Sequence, residues 1–157
     1  MTQEVITVRS ATFDDLDTIA AFNQAMALET ENKTLDPHVA TAGVKAGLTD
    51  PGKCMFFVAE VAGTVAGQAM ITTEWSDWHN GFFWWIQSVY VEIAYRRRGV
   101  FRKLYDYIHD MARGRHDVCG LRLYVHRDNK QALNAYREIG MTLTDYLLCE
   151  EEWAAGS

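Results

Sequence analysis

The 157-residue chain is long enough to build one domain with a substantial hydrophobic core. Its composition, with 48% hydrophobic and 23% charged residues, is typical of a soluble globular protein. The formal net charge of -6 argues against a broad nucleic-acid-binding surface, because such surfaces are basic. The same acidic balance favours a cationic small substrate over an anionic one.

Cysteines, histidines and apolar runs narrow the class of protein further. The three cysteines, Cys54, Cys119 and Cys149, are odd in number and far apart, which predicts buried thiols in a reducing compartment. The five histidines show no paired ligand spacing, so we expect no bound metal. The N-terminus lacks a signal pattern, and no apolar run approaches ~18 residues. We therefore expect a cytoplasmic protein that does not span a membrane.

The first half of the chain predicts a strand, two helices and a hairpin. Residues 5–9 alternate like a short strand. A capping box of Thr12 and Asp15 opens a helix that ends near residues 29–32. Pro37 opens a second helix, which residues 50–52 stop. Strands over 55–61 and 65–72 form a hairpin, in which Gly67 marks a bulge or a close approach.

The second half continues the alternation of strands and helices. An aromatic loop over 74–81 leads to a fourth strand over 82–91 and a third helix from Val100. A fifth strand over 121–126 and a fourth helix over 129–139 follow. A last strand over 141–150 precedes a loose tail over 151–157. The order βααβββαβαβ contains no repeat or linker. It predicts a single-domain α/β (α+β) fold in which one mixed β-sheet is flanked by helices.

Residues 87–105 combine a strand, a basic turn and a helix. The turn carries three consecutive arginines, Arg96 to Arg98, followed by Gly99. A helix that begins after such a turn directs unpaired backbone N–H groups and the positive end of its dipole to one point. Glycine allows a ligand to approach the backbone closely, and arginine adds bidentate donors. The pattern therefore predicts a phosphate site.

Two motifs carry a resemblance to a known family. Arg96-x-x-Gly99-x-Phe101, after a strand that ends Val89-Tyr90-Val91, resembles the acyl-CoA pyrophosphate loop of the GCN5-related N-acetyltransferases (GNAT), although the family usually has a small residue at the position of Phe101. A second motif resembles the C-terminal signature of that family through Asn129, Ala132, Tyr136 and Gly140, with Met141 in place of the usual Phe. Gly99 and Asn129 are 30 residues apart, and the element order matches over about residues 5–150.

The resemblance implies the acyl-CoA N-acyltransferase fold and acetyl-CoA as cosubstrate. It implies that the basic turn holds the pyrophosphate through its backbone amides and side chains: Arg96, Arg97, Arg98, Gly99, Val100, Phe101 and Arg102. It further implies that the edge of Val89, Tyr90 and Val91 pairs with the pantetheine amides.

The resemblance assigns two further residues. Asn129 contacts CoA in addition to capping a helix. Tyr136 directs its hydroxyl to the sulfur and is the candidate acid, although the residues alone also fit a core tyrosine.

A general base is harder to identify. Many family members carry a glutamate on the fourth strand, where this chain offers Gln87 and Ser88. A water chain to a carboxylate elsewhere satisfies the requirement. The candidates are Glu29 and Glu31 at the end of the first helix, and Glu74 and Asp77 before the fourth strand.

Tryptophan is concentrated before and within the fourth strand. Four of the five tryptophans lie between residues 75 and 85. An aromatic and acidic loop beside an acetyl donor suits a cation, which favours a small amine or a lysine-like primary ammonium. The predicted acceptor residues are Glu31, Trp75, Asp77, Trp78 and Gln87. Alternatively, the loop buries its tryptophans at the contact of a homodimer.

Three functions compete. The favoured one is an acetyl-CoA-dependent N-acetyltransferase that acts on a small-molecule or peptide amine. The alternative is a non-catalytic acyl-CoA-binding or sensor module of the same fold, which the missing strand-four carboxylate supports and Tyr136 opposes. Nucleic-acid binding through Arg96 to Arg98 fits poorly with a net charge of -6.

Overall fold

The computed structural model describes residues 3–153, which form two compact units that meet in sequence between Tyr124 and Val125. The first unit contains β1 (Ile6–Ser10), α1 (Leu16–Glu31), α2 (Pro37–Thr49), β2 (Met55–Val61), β3 (Thr64–Ser76), β4 (Gly81–Val91), α3 (Val100–Arg113) and β5 (Val118–Leu123). The second unit contains α4 (Lys130–Glu138). The predicted mixed α+β class is confirmed, whereas the single-domain boundary remains a prediction.

The first unit is built on a five-stranded sheet whose strands follow chain order. β1 to β4 pair antiparallel, and β5 runs parallel to β4 after the crossover through α3. β-Branched and aromatic residues in these strands give the sheet two apolar faces. On one face Phe56 and Val58 pack with Ile19 of α1 and Val44 of α2. On the other, Phe57 contacts Tyr107 of α3 at 5.6 Å between ring centroids.

Local capping explains where the helices begin. The Thr12 N–H donates to Asp15 Oδ2 at 2.7 Å, which holds a short 3₁₀ turn at the entrance to α1. Asp15 is 4% exposed and accepts two hydrogen bonds from Arg9, at 2.8 and 2.9 Å. This ion pair lowers the pKa of Asp15. α2 begins at Pro37 as predicted, with Asp36 Oδ1 accepting from the N–H of His38 at 2.9 Å.

Two strand boundaries differ from the prediction. β5 begins at Val118, three residues before the predicted start. β3 continues to Ser76 and β4 begins at Gly81, so the expected loop over 74–81 is reduced to a turn at 77–80. The cause is cross-strand pairing, because Trp75 lies opposite Phe82 and their rings meet edge to face at 5.0 Å. Aromatic cross-strand pairs stabilise the hairpin, so its strands extend into the segment whose polar residues predicted a loop.

The second unit lacks the predicted last strand. Among the described residues after α4, 139–153, no residue is in a strand, so the expectation for 141–150 is wrong. Alternation predicts a half-buried strand only where a partner edge is available. Here the apolar side chains of the segment are exposed, by 62% at Leu143 and 92% at Leu147.

The cysteines also differ from the prediction of buried thiols. Cys119 and Cys149 are exposed, and Cys54 is half-buried. All three are free thiols. Burial raises the pKa of Cys54, so its thiol is protonated at neutral pH.

Candidate functional site

β4 and β5 separate part of the way along the sheet. Their pairing runs from Phe82 opposite Val118 to Ile86 opposite Leu123 and ends there. Residues 87–91 of β4 continue to pair with β3 on the other side, as Gln87 does with Met70. Within the described residues, no strand pairs with the second edge of 87–91. That edge offers backbone N–H and C=O groups to an extended partner.

A bulge in β4 lies at the point of separation. The register between β3 and β4 shifts between Gln68 and Met70, where Ser88 and Val89 together face Ala69. Ser88 has a φ of 51°, in the left-handed region that side chains other than glycine rarely adopt. A bulge bends its strand and re-aims the residues around it. The bulge thus redirects β4 where β5 departs from it.

A buried amide braces this bulge. Gln68 of β3 is 0% exposed, and its Nε2 donates to the Ser88 carbonyl at 3.1 Å and to Asn23 Oδ1 of α1 at 2.7 Å. Its Oε1 has no hydrogen-bond partner among the described residues. Because a buried polar group is costly without partners, the amide is held where it satisfies the bulge.

The predicted phosphate turn follows β4 as expected. Gly99 has a φ of 86° and precedes the first residue of α3, Val100. A Cβ added at Gly99 would contact no atom within 4 Å, so the surface there is open although the backbone favours glycine. The Phe101 ring lies along α3 toward Tyr105, with centroids 6.3 Å apart. Its bulk is therefore accommodated by the helix, and the turn keeps the strand–turn–helix form of an anion site.

Arg96 is held by the protein itself. Its guanidinium donates to Glu29 of α1 at 2.5 and 2.8 Å, and its Nε donates to the Val91 carbonyl at 2.8 Å. Its Cζ also lies 5.5 Å from the centroid of the Tyr90 ring. The hydrogen bonds from Arg96 lower the pKa of Glu29, which makes this carboxylate a weaker base. Arg96 therefore fastens the turn to the end of α1.

The neighbouring arginines are bound more loosely. Arg98 pairs with Glu4 at 3.1 Å and Arg102 with Asp106 at 2.9 Å, all through side chains that are about half exposed. Arg97 has a φ of 63° and forms no ion pair within residues 3–153. Exposed ion pairs contribute only about 0–1 kcal/mol, so a phosphate can replace such carboxylates at little cost.

One face of β3, β4 and β5 carries an aromatic and charged surface, which we call the aromatic face: Thr72, Glu74, Phe83, Trp85, Gln87, Arg122 and Tyr124. Trp85 and Tyr124 stack at 4.4 Å between centroids, with 25° between their planes. The guanidinium of Arg122 lies 3.6 Å from the centroid of Phe83 and pairs with Glu74 at 2.6 Å. Gln87 Nε2 donates to Thr72 Oγ1 at 2.5 Å, at the end of the face next to the bulge.

The structure separates the predicted acceptor residues. Glu74 and Gln87 share the aromatic face, whereas Trp75 points to the opposite face with Phe82. Asp77 and Trp78 lie in the β3–β4 turn, where Trp78 is 87% exposed. That turn is roughly 26 Å along β4 from Ser88, at about 3.3 Å per residue. Glu31 is the exposed last residue of α1.

The second unit carries the other two predicted residues. Asn129 caps α4, because its Oδ1 accepts from the Ala132 N–H at 3.1 Å. Tyr136 is a half-buried residue of α4, and burial raises its pKa above the ordinary value for tyrosine. A phenol with a raised pKa retains its proton at neutral pH, as a general acid requires.

Several residues of the site were not predicted. Gln68 and Asn23 are 45 positions apart, and Arg122 and Glu74 are 48 apart, so no local pattern links them. The one available signal was the alternation in β4 and β5. It places Phe83 with Trp85, and Arg122 with Tyr124, but the parallel register that joins the two sets is not visible in the sequence.

Metal clusters and membrane-spanning helices are both absent from the described part of the chain. No group of three or more His, Cys, Asp or Glu residues is close enough to hold a metal ion in residues 3–153. None of the helices described is both long and apolar enough to cross a bilayer.

Comparisons with known proteins give a consistent result. The sequence profile of the Acetyltransferase (GNAT) family matches residues 18–141. A solved structure of a possible acetyltransferase from Clostridium difficile 630 is 47% identical with a TM-score of 0.89, and the match covers 96% of this chain and 99% of that one. No curated protein sequence matches the chain.

More distant solved structures share the fold. A predicted acetyltransferase with acetyl-CoA from Clostridium acetobutylicum is 16% identical with a TM-score of 0.75, over 94% of this chain and 96% of that one. The ribosomal-protein-alanine N-acetyltransferase from Brucella melitensis biovar Abortus 2308 is 16% identical with a TM-score of 0.76, over 96% of this chain and 100% of that one. At this identity the likeness concerns the fold alone.

Proposed function

The chain belongs to the GNAT family of acetyltransferases, and we propose that it moves an acetyl group from acetyl-CoA to a primary amine of a small molecule or lysine-like acceptor by direct attack. The observation that carries this proposal is the open edge of β4 over residues 87–91, where β5 has departed. An extended chain with amide groups, such as pantetheine, can pair with a free strand edge. The basic turn before α3 lies at the end of the same strand, where a pyrophosphate is favoured.

The binding roles follow from this arrangement. Val89, Tyr90 and Val91 supply the backbone edge for pantetheine, and a backbone N–H there polarises the thioester carbonyl. The amides at the start of α3, with Arg97 and Arg98, hold the pyrophosphate. Arg96 keeps the turn in place through Glu29. Asn129 is proposed to contact CoA in addition to capping α4.

The chemistry needs one acid and one base. Tyr136 is the proposed acid toward the leaving thiolate, which its raised pKa supports. A lysine-like ammonium has a pKa of ~10.4 and must lose a proton before it attacks. Glu74 and Glu29 are the candidate carboxylates to receive that proton through water, and each is paired with an arginine, Glu74 with Arg122 and Glu29 with Arg96, whose hydrogen bonds lower the pKa of Glu29.

The proposal is tested by thiol release from acetyl-CoA against a panel of polyamines, amino acids, aminoglycosides and lysine peptides. Amine-dependent release is expected. Tyr136→Phe should lower kcat by roughly 10²- to 10⁴-fold, the usual contribution of a general acid. Tyr146→Phe is the matched control, because Tyr146 lies in the same unit and is 82% exposed. Full activity of Tyr136→Phe at saturating substrate would refute the acid role.

A second candidate is a non-catalytic acyl-CoA sensor of the same fold. It is favoured by Gln87 and Ser88, because neither can act as a base on the strand where many relatives have a glutamate. Tight binding of acetyl-CoA without thiol release from any amine of the panel would support the sensor and reject the transferase.

Assembly and location remain proposals. We propose a cytoplasmic protein that forms a homodimer and binds neither nucleic acid nor membranes. The exposed apolar side chains after α4, including Leu147 and Trp153, favour self-association. Sedimentation equilibrium tests the dimer, and a monomer at all concentrations would exclude it.

A further inference from the structure

We infer that the acceptor is a free amino acid whose side chain ends in a primary amine, with its carboxylate bound by Arg122 and its α-ammonium bound by Glu74. The inference rests on the proposed acetyl transfer and names the substrate class of that site. It locates recognition on the aromatic face and not in the β3–β4 turn.

Arg122 is suited to bind an anion. Its hydrogen bond to Glu74 uses Nη1, and the described residues form no hydrogen bond with its Nε or Nη2. Its side chain is 40% exposed, so those donors are accessible. A guanidinium binds a carboxylate through two parallel N–H bonds and can do so while it keeps one bond to Glu74.

Arg122 is also held in position before a ligand arrives. Its guanidinium stacks on the Phe83 ring, at 3.6 Å from the centroid. The ring itself lies against Gly120 of β5, where an added Cβ would come within 2.7 Å of Phe83 Cε1. A rigid support reduces the side-chain entropy that ligand binding would otherwise cost.

Glu74 and Arg122 together present both signs of charge. Each side chain is nearly half exposed, and they are joined by a contact of 2.6 Å. The α-carbon of an amino acid carries a carboxylate and an ammonium side by side, which matches this pair in sign. A polyamine lacks the carboxylate, and a lysine inside a peptide lacks both groups.

The distance to the open edge selects the length of the side chain. The guanidinium of Arg122 and its partner Glu74 lie at the level of Phe83, and Gln87 follows four positions later beside the bulge at Ser88. Four strand residues span about 13 Å. A carboxylate bound to the guanidinium, followed by a side chain of four methylene groups, extends over most of this distance. The half-buried Trp85, stacked on Tyr124, offers that side chain an apolar wall. The side-chain amine is thereby directed toward the bulge, next to the proposed thioester position.

The transfer step balances without a further reactant. The side-chain ammonium loses one proton to water, because Glu74 is engaged by the α-ammonium, and its nitrogen forms a bond to the acetyl carbon. The carbon–sulfur bond breaks, and the thiolate accepts a proton to become the free thiol of CoA. The second proton of the nitrogen is lost as the amide forms, so one proton in total is released to solvent.

The test compares L-lysine with cadaverine, which is the same diamine without the carboxylate. We expect kcat/KM for lysine to exceed that for cadaverine by about 10- to 100-fold, the range of a charged hydrogen bond in a site. In Arg122→Gln this preference should fall to near one, while the Kd of acetyl-CoA is unchanged. Arg115→Gln is the matched control, because Arg115 is an exposed arginine paired with Asp117 off the aromatic face, and it should keep the preference.

The outcomes separate the inference from the function. Equal kcat/KM for lysine and cadaverine in the wild-type protein would overturn the inference without affecting the proposed acetyltransferase activity. Thiol release with other amines, but with neither lysine nor cadaverine, would have the same consequence. Retention of the lysine preference in Arg122→Gln would overturn the role of Arg122. No thiol release with any amine would overturn the proposed function itself. The wild-type comparison needs no variant, so it holds even where Arg122→Gln fails to fold.

Discussion

The buried amide behind the β4 bulge allows one substitution to test both stability and site geometry. Gln68→Met keeps the length of the side chain and removes its two polar atoms. The Ser88 carbonyl would lose the donor now at 3.1 Å, and an unsatisfied buried acceptor costs about 1–3 kcal/mol. The oxygen of Asn23 would also lose its partner, but Asn23 is half-buried and can turn toward water.

One effect opposes this loss. The substitution also removes Gln68 Oε1, which has no partner within the described residues. We therefore expect a net destabilisation of about 1–2 kcal/mol. For a chain of this size, this lowers Tm by roughly 2–8 °C. Because the bulge directs the open edge of β4, the KM for acetyl-CoA should rise as well, by about tenfold for each 1.4 kcal/mol of binding lost.

The assay combines urea unfolding with steady-state kinetics. Gln24→Met is the matched control, because Gln24 is a half-buried glutamine of α1 whose side chain makes no hydrogen bond in the described part of the chain. The reasoning is refuted if Gln68→Met and Gln24→Met lose the same free energy of unfolding. A loss of stability with an unchanged KM would show that Gln68 supports the fold and not the position of the edge.

Three further predictions concern the ion pairs and one close approach. Asp15→Asn should cost about 2–3 kcal/mol at pH 7, less than the 3–5 kcal/mol of a fully buried pair, because Arg9 is 34% exposed. Folding lowers the pKa of Asp15, so the stability advantage of the wild type over Asp15→Asn is complete above the unfolded pKa of ~3.9 and should decline as pH falls below it. Urea midpoints of the two proteins that stay equally separated down to pH 2 would contradict this account. Glu29→Gln should raise the KM for acetyl-CoA several-fold and change kcat by less than about threefold; a 100-fold fall in kcat with loss of the acidic limb of the pH profile would instead identify Glu29 as the base. Gly67→Ala, whose Cβ would lie 2.9 Å from a methyl of α3, should lower the free energy of unfolding by about 1–3 kcal/mol in denaturant titrations. Gly43→Ala in α2, where the added Cβ meets no atom within 4 Å, should instead raise it by up to about 1 kcal/mol.

Features that depend on neighbouring residues were predictable. The capping of α1 and α2 and the Gly99 turn were each expected from residues within a few positions of one another. These features are local because capping and turn geometry are satisfied within one or two helical turns.

Features that depend on distant partners were not predictable. The segment over 141–150 has a suitable alternation, but it pairs with no strand within residues 3–153. The extension of β3 to Ser76 depended on the residues opposite it in β4. Alternation indicates which residues share a face of one strand, whereas hydrogen bonding to another strand decides whether the strand forms.

The sequence by itself determined the family resemblance, the α+β class, the order of the elements through α4 and the position of the basic turn, because these reside in contiguous motifs. Only the tertiary structure decided which side chains form the site. The parallel register of β4 and β5 brings Arg122 beside Trp85, and the antiparallel register of β3 brings Glu74 opposite Phe83. A shift of either register by one residue would turn these side chains to the other face. Register is set by the packing of the whole sheet, so the contact between Glu74 and Arg122, 48 positions apart, could not be predicted from the sequence.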